Sequence, residues 1–314
     1  MIYVKMDGRL GNQLFGYAFA RAVQVKRGKL NEKIVLFWDK QTYSGRDDVE
    51  DSLKYFACAN NYESIVTNRF RIDFLRHASF MQKLLFLGRH CLLKLGFRNN
   101  NTFKKLLNRH GISSLYGDCY QFYVPVEFSD CENILIRGYH FSEKYFSEIR
   151  EILLKDFTPL QQELPENSDL YQKIRSTNSV CVTIRRGDFL TPECARFNVC
   201  SKQYFLKAMQ IMREKMPDVN YFIFSDDIEW CKANINFDAP LSFETGNDPV
   251  WEKLRLMYSC KHFILSNSTF SWWAQYLSTS KDKTVIAPQQ WFVPNIKHDY
   301  NNPSWISIDA LALK

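Results

Sequence analysis

At 314 residues, 46% of them apolar and 15% aromatic, the chain is long enough for two domains and rich enough to fill their cores, which excludes global disorder. A net charge of +7 favours anionic partners such as nucleotide phosphates or acidic lipid headgroups. No apolar run reaches the roughly 18 residues of a membrane-spanning helix, and the nine dispersed cysteines contain no Cys-x-x-Cys pair, which argues for free thiols in a reducing compartment over disulfides or zinc.

The chain opens directly on a predicted strand, Ile2–Lys5, with no secretory signal ahead of it, so a cytoplasmic location is expected. A glycine turn leads into a predicted helix, Asn12–Gly28, and a second strand, Ile34–Trp38: a βαβ start. The turn, Gly8-Arg-Leu-Gly-Asn-Gln13, has two readings. Its backbone N–H groups at a helix start can receive an anion. Equally, its glycines can serve a tight turn with Asn12 as the helix N-cap. Residues 69–110 read as largely helical and basic, with Arg69, Arg71, Arg76, Lys83, Arg89, Lys94, Arg98, Lys104, Lys105 and Arg109 against the single acid Asp73. Apolar clusters among these cations suit an interfacial helix on acidic lipid, or a core helix with a solvated basic side. A strand at Ile134–Gly138 and a helix around Glu143–Leu154 complete this half. The polar, proline-containing segment 158–167 is the best boundary, which gives domains 1–160 and 161–314.

Beyond it the α/β rhythm restarts, with strands at Val180–Ile184, Tyr221–Phe224, His262–Leu265 and Val285–Ala287. Between them the pattern gives helices at Lys202–Met216, Glu252–Ser259 and Trp272–Ser278. In open α/β sheets ligands sit beyond the carboxyl ends of strands. Three such ends carry polar clusters. Arg185, Arg186, Gly187 and Asp188 follow the first strand; a guanidinium grips two phosphate oxygens at once. Arg186 either assists there or holds Asp188 in an ion pair. Asp226 and Asp227 follow the second strand, where they can meet hydroxyls, N–H groups or a cation, or cap a helix. Asn267, Ser268, Thr269 and Ser271 stand between the third strand and its helix, a natural cradle for pyrophosphate. Trp272 and Trp273 fit core packing better than sugar stacking, because helical periodicity continues through Tyr276 and Leu277.

In order and spacing, Gly8–Ala18, Ile184–Asp188, Phe224–Asp227 and Ser266–Trp273 resemble the α-1,2-fucosyltransferases of glycosyltransferase family 11, in their bacterial type without anchor or stem. The resemblance covers about residues 2–292. It implies an α/β, GT-B-like fold, two Rossmann-like domains facing across a cleft, with the second binding GDP-fucose and the first serving mainly the acceptor. It implies an inverting transfer of L-fucose to the 2-hydroxyl of a terminal β-galactoside, free or lipid-linked. No metal or other cofactor is expected. The resemblance gives Arg185 the β-phosphate, turns Arg9, Asn12 and Gln13 toward the donor and sets Thr183 beside its guanine, while Arg186, Asp188, Asp226, Asp227, Asn267, Ser268, Thr269 and Ser271 at the strand ends are the further candidate donor contacts. Glu193 stands where a related α-1,6 family has its catalytic glutamate, and reads equally as a loop acid. Asp7, Asp118, His140 and Glu143 are further candidates for the base. Three positions depart from the family pattern: Thr183 replaces its histidine, Gly16 its glutamine and Lys253 an acid.

Other readings are a fucosyltransferase of different linkage or acceptor, and an inactive glycan- or nucleotide-binding protein. Nucleic-acid binding would rest on charge alone, with no recognisable motif, and is not expected.

Overall fold

The computed structural model describes residues 1–40, 50–95, 101–114, 122–126, 128 and 131–314. The chain divides into two compact units, Met1–Thr158 and Pro159–Lys314.

The first unit runs β1 (Ile2–Met6), α1 (Leu10–Lys26), β2 (Ile34–Asp39), β3 (Tyr62–Thr67), α2 (Phe70–Arg76), α3 (Phe80–Lys94), α4 (Asn101–Arg109), β4 (Ile112–Ser114), β5 (Ile134–Arg137) and α5 (Arg150–Asp156). Its strands form one parallel sheet, order β3-β2-β1-β5-β4. Alternate residues of a strand face opposite sides. Tyr3, Val35, Phe37 and Leu135 accordingly share one face and pack with Phe70, Phe74, Leu85, Phe86 and Leu107 of α2–α4. The helix expected from Asn12 begins two residues earlier, at Leu10. Arg9 is its N-cap, so Asn12 stands in the first turn rather than capping it. The helix expected over 143–154 is broken: 3-10 turns at Glu143–Tyr145 and Ser147–Ile149 precede α5.

The second unit runs α6 (Ser168–Ser176), β6 (Asn178–Ile184), α7 (Lys202–Lys215), β7 (Val219–Ser225), α8 (Ile228–Asn234), β8 (Leu241–Phe243), α9 (Val250–Tyr258), β9 (His262–Ile264), α10 (Thr269–Leu277), β10 (Val285–Pro288) and β11 (Ile306–Ile308). Its parallel sheet has the order β11-β10-β9-β6-β7-β8. From β6 the chain winds outward to β8, then crosses back to β9 and winds the other way. This is the doubly wound arrangement, and its switch point lies between β6 and β9. Strands buried on both faces read as continuous apolar runs. Val180, Cys181 and Val182 are fully buried, with Tyr221, Phe222 and Ile223 beside them at 0–1% exposure. Trp272 and Trp273 are core residues, 1% and 0% exposed, and the Trp272 indole N–H donates to the Tyr300 carbonyl at 2.9 Å. Rings of that size bury roughly 150–250 Å² each, which anchors α10 from inside.

Among the described residues four strands escape the apolar-run reading: β3, β4, β8 and β11. They are the four sheet edges.

Candidate active site

Strand order puts the carboxyl ends of β6, β7 and β9 side by side at the switch point, and each carries one polar cluster. Arg185 emerges from β6 and is gripped from two sides. Its Nη2 meets Asp188 Oδ1 at 2.6 Å, and its Nη1 meets Asp226 Oδ2 at 2.7 Å. The guanidinium also lies over the Phe189 ring, 5.4 Å from the centroid. Asp226 reaches further and accepts from the Arg186 backbone N–H at 2.9 Å. Arg186 turns to a different carboxylate, Asp227, at 3.1 Å, and its guanidinium stacks on Trp230 at 3.6 Å. The alternative pairing of Arg186 with Asp188 is therefore corrected: Asp188 belongs to Arg185. Asp227 is at once this partner and the N-cap of α8, accepting from the Trp230 N–H at 3.3 Å.

The cluster holds three carboxylates to two guanidiniums, one negative charge in excess. Its role is to orient Arg185 rather than to build a broad positive field. A guanidinium has five N–H donors, so two anchored contacts leave others for a ligand.

Gly187 is dictated by this packing. A Cβ there would lie 2.3 Å from Asp226 Oδ2, and Asp226 cannot yield without releasing Arg185. Gly187→Ala is expected to lower kcat/KM for transfer about tenfold to a hundredfold, the scale of a small displacement of an orienting group. The melting temperature should stay near that of the parent. Steady-state kinetics beside thermal unfolding separates the two effects.

Thr183, the last β6 residue but one, is 4% exposed. Its hydroxyl donates to the Ile264 carbonyl at 3.3 Å and accepts the Ser266 N–H at 3.1 Å. It continues the β6–β9 seam past the last paired residues, Val182 and Ile264. Here threonine in the histidine position serves backbone, and its oxygen is engaged.

Around the start of α10 the expected residues separate. Asn267 is 4% exposed, and its amide donates to the carbonyls of Phe197 and Trp291 at 2.9 and 3.0 Å. Ser271 is buried, 3.0 Å from the Ser266 hydroxyl. Both hold the loop. Ser268, the N-cap residue, and Thr269 are partly exposed at the helix start.

In the first unit Arg9 is exposed and Asn12 half-buried. Gly8 has φ +81°, and a Cβ there would lie 2.3 Å from Asn12 Nδ2. Gln13 is wholly buried. Its amide donates to the carbonyls of Gly8 and Glu50 at 3.0 and 2.7 Å, and accepts the Ser52 N–H at 3.0 Å. Its side chain therefore staples this turn to the segment at 50–52.

Among the candidate bases, Glu193 is exposed on the 3-10 turn Pro192–Phe197, in the loop that follows β6. His140 is 1% exposed, stacked on Phe19 at 3.8 Å, and pushed by burial down to about 3. Burial makes it a weak base and closes it off from a substrate, so it is unsuited to the task. Asp7 is tied to Lys5 at 3.0 Å, and burial raises its pKa. Glu143 is half-buried in its 3-10 turn. Asp118 and Arg98 lie outside the described residues.

Sequence reasoning missed Glu244. It follows β8, is 2% exposed, and accepts the Ser225 N–H at 2.6 Å. Its other oxygen meets Lys253 Nζ at 3.0 Å, and Lys253 also donates to the Ser225 carbonyl at 3.3 Å. The pair thus clamps both sides of the residue before Asp226. Glu244 stands just past an edge strand that no apolar run marks. Among the described residues no three His, Cys, Asp or Glu side chains cluster as metal ligands would.

A doubly wound unit with arginine and hydroxyl clusters at its switch point has its polar groups where open α/β folds place a ligand. The comparisons with known proteins make this specific. Residues 116–309 match the sequence profile of glycosyl transferase family 11. The chain is 30% identical to the alpha-1,2-colitosyltransferase of Escherichia coli, over 93% of this chain and 92% of that one. It is 27% identical to galactoside alpha-(1,2)-fucosyltransferase 1 of Leontopithecus chrysomelas, over 56% of this chain and 52% of that one. Among solved structures it is similar to the fucosyltransferase NodZ from Bradyrhizobium, with TM-score 0.49, 15% identity, and coverage of 87% of this chain and 91% of that one. The chain belongs to glycosyl transferase family 11 and is a glycosyltransferase. The expected pair of Rossmann-like α/β domains is what it forms. Among the described residues no helix is long and apolar enough to cross a membrane.

Proposed function

We propose that the chain moves L-fucose from GDP-fucose to the 2-hydroxyl of a terminal β-galactoside, with inversion and without a metal. The observation that carries this is Arg185, fixed between Asp188 and Asp226 at the switch point of a family 11 chain. In this reading the acceptor oxygen bonds to C1 of fucose while the bond from C1 to the β-phosphate oxygen breaks. GDP leaves with the electron pair, and a base takes the hydroxyl proton from the face opposite GDP. Charge then grows on the phosphate. A fixed guanidinium stabilises that transition state more than the ground state and needs little reorganisation. The α10 N-terminus, with Ser268 and Thr269, supplies N–H and hydroxyl groups to the same diphosphate. Glu193 is the group we assign as base, since its carboxylate is exposed in the loop after β6. Donor recognition falls to the second unit and acceptor recognition mainly to the first.

A second reading, transfer of a different deoxysugar with the same linkage, is favoured by the name of the colitosyltransferase relative. One assay separates them. Purified protein is incubated with GDP-fucose, EDTA and lactose, following GDP release and product linkage by NMR. A new α-1,2 fucosyl-galactose linkage is expected. Absence of release with a panel of galactosides would sink the fucose donor, and activity with GDP-colitose in its place would establish the second reading.

A further inference from the structure

Helix α3 is apolar on two opposite sides. Its inner face carries Leu85 and Phe86, 8% and 9% exposed, which belong to the core against α2 and the sheet. Its outer face should then be polar. It is not. Phe80, Leu84 and Leu87 are 77%, 46% and 61% exposed. Their spacing, i, i+4 and i+7, sets them in one stripe along the helix. Met81 at 46% and Leu95, just past the last turn, at 71% add to it.

Charge on α2–α4 is almost all of one sign. Lys83 and Lys94 are exposed on the same helix, as are Arg71 and Arg76 on α2 and Lys105 and Arg109 on α4. Of the cations read along this stretch, Arg89 and Lys104 are turned inward, 6% and 8% exposed. The only acid of α2–α4, Asp73, is already paired with Arg76 and accepts from Thr67. Exposed leucine and phenylalanine flanked by lysine and arginine on a helix of 15 residues matches the chemistry of an interfacial helix, too short to span a bilayer.

We propose that the outer face of α3 docks on the surface of an anionic lipid bilayer, with Phe80, Leu84 and Leu87 entering the headgroup–acyl boundary and Lys83 and Lys94 meeting lipid phosphates. The charge selects this occupant. A second copy of the same face would bring like charges together. A nucleic acid would satisfy the cations but offer the apolar stripe nothing to enter, whereas an anionic membrane satisfies both.

The full chain is tested by co-sedimentation with vesicles of phosphatidylcholine alone and of phosphatidylcholine with phosphatidylglycerol. Binding to the anionic vesicles only is expected, weakened by raising salt to about 0.5 M. Phe80→Ser/Leu84→Ser/Leu87→Ser should weaken it about tenfold or more, since each side chain loses its apolar insertion. So should Lys83→Glu/Lys94→Glu, through the lost attraction to anionic lipid. All five positions are exposed, so unfolding temperature and glycosyl transfer to a soluble acceptor should be unchanged in both variants. No sedimentation with anionic vesicles at low salt would overturn the proposal. Binding undiminished in the triple serine variant would overturn it too. Self-association in light scattering that disappears in the triple variant, without vesicle binding, would assign the face to a second copy instead.

Discussion

Replacing Arg185 by alanine is expected to lower kcat by about 10²–10³, the usual cost of removing one donor aimed at developing charge. Donor KM should move less. Two effects combine. The leaving phosphate loses its cation. Asp188 and Asp226 also lose their shared partner while only 35% and 23% exposed, so like charges are left adjacent. Arg185→Lys is expected to recover little, because the three N–H donors of an ammonium radiate from a single nitrogen and cannot span Asp188 and Asp226 as the planar guanidinium fork does. Single-turnover rates beside equilibrium binding of GDP distinguish lost transition-state stabilisation from lost affinity. A variant that keeps kcat and loses only affinity would reduce Arg185 to a binding group.

The largest effect on stability is expected at Lys253. Glu244 has no exposed side-chain surface, and Lys253 supplies its counter-ion. Lys253→Met leaves a buried carboxylate with one backbone N–H, which costs about 3–5 kcal/mol when one member of a buried pair is removed. Glu244→Gln together with Lys253→Met should recover much of this, since no uncompensated charge remains. Burial already raises the Glu244 pKa above its ordinary 4.5, with Lys253 the largest opposing influence. The sign follows from linkage: a carboxyl whose folded pKa is raised favours folding most below its unfolded pKa, and that contribution is lost as pH rises through the folded value. Removing Lys253 raises the folded value further. The deficit of Lys253→Met should therefore shrink as pH falls toward 4.5 and be full above the raised pKa. Urea denaturation across pH measures it; a deficit independent of pH would mean that lost packing, not charge, is the cause.

Much of the second unit's core was legible in the chain itself. A strand covered on both faces needs only apolar side chains, so Val180–Ile184 and Tyr221–Phe224 announce themselves. The polar residues that follow each run then mark the sheet's ligand end. The edges were not legible. β3, Tyr-Glu-Ser-Ile-Val-Thr, has exposed Glu63 and Ser64, while β4, β8 and β11 are three residues each. Their pairing is a property of the neighbouring strand, which local pattern does not contain. Glu244 went unseen for that reason.

Within the candidate site the division is finer. Sequence identified which residue types meet at the strand ends, because strand polarity and a βα turn are local consequences of the chain. It could not assign partners. In sequence Arg186 had Asp188 within reach, and only the placement of β7 beside β6 gave it Asp227 and left Asp188 to Arg185. Gln13 and Asn267 look like ligand contacts in a linear motif, yet folding spends their amides on carbonyls of Glu50, Phe197 and Trp291. Thr183 likewise turns its hydroxyl to the β9 seam. Periodicity and composition determined the central strands, the main helices between them and the ligand end of the second sheet, since each depends on neighbours along the chain. Tertiary structure alone decided which polar groups are consumed in holding the site and which are left to act, because a hydrogen bond's second partner lies tens of residues away.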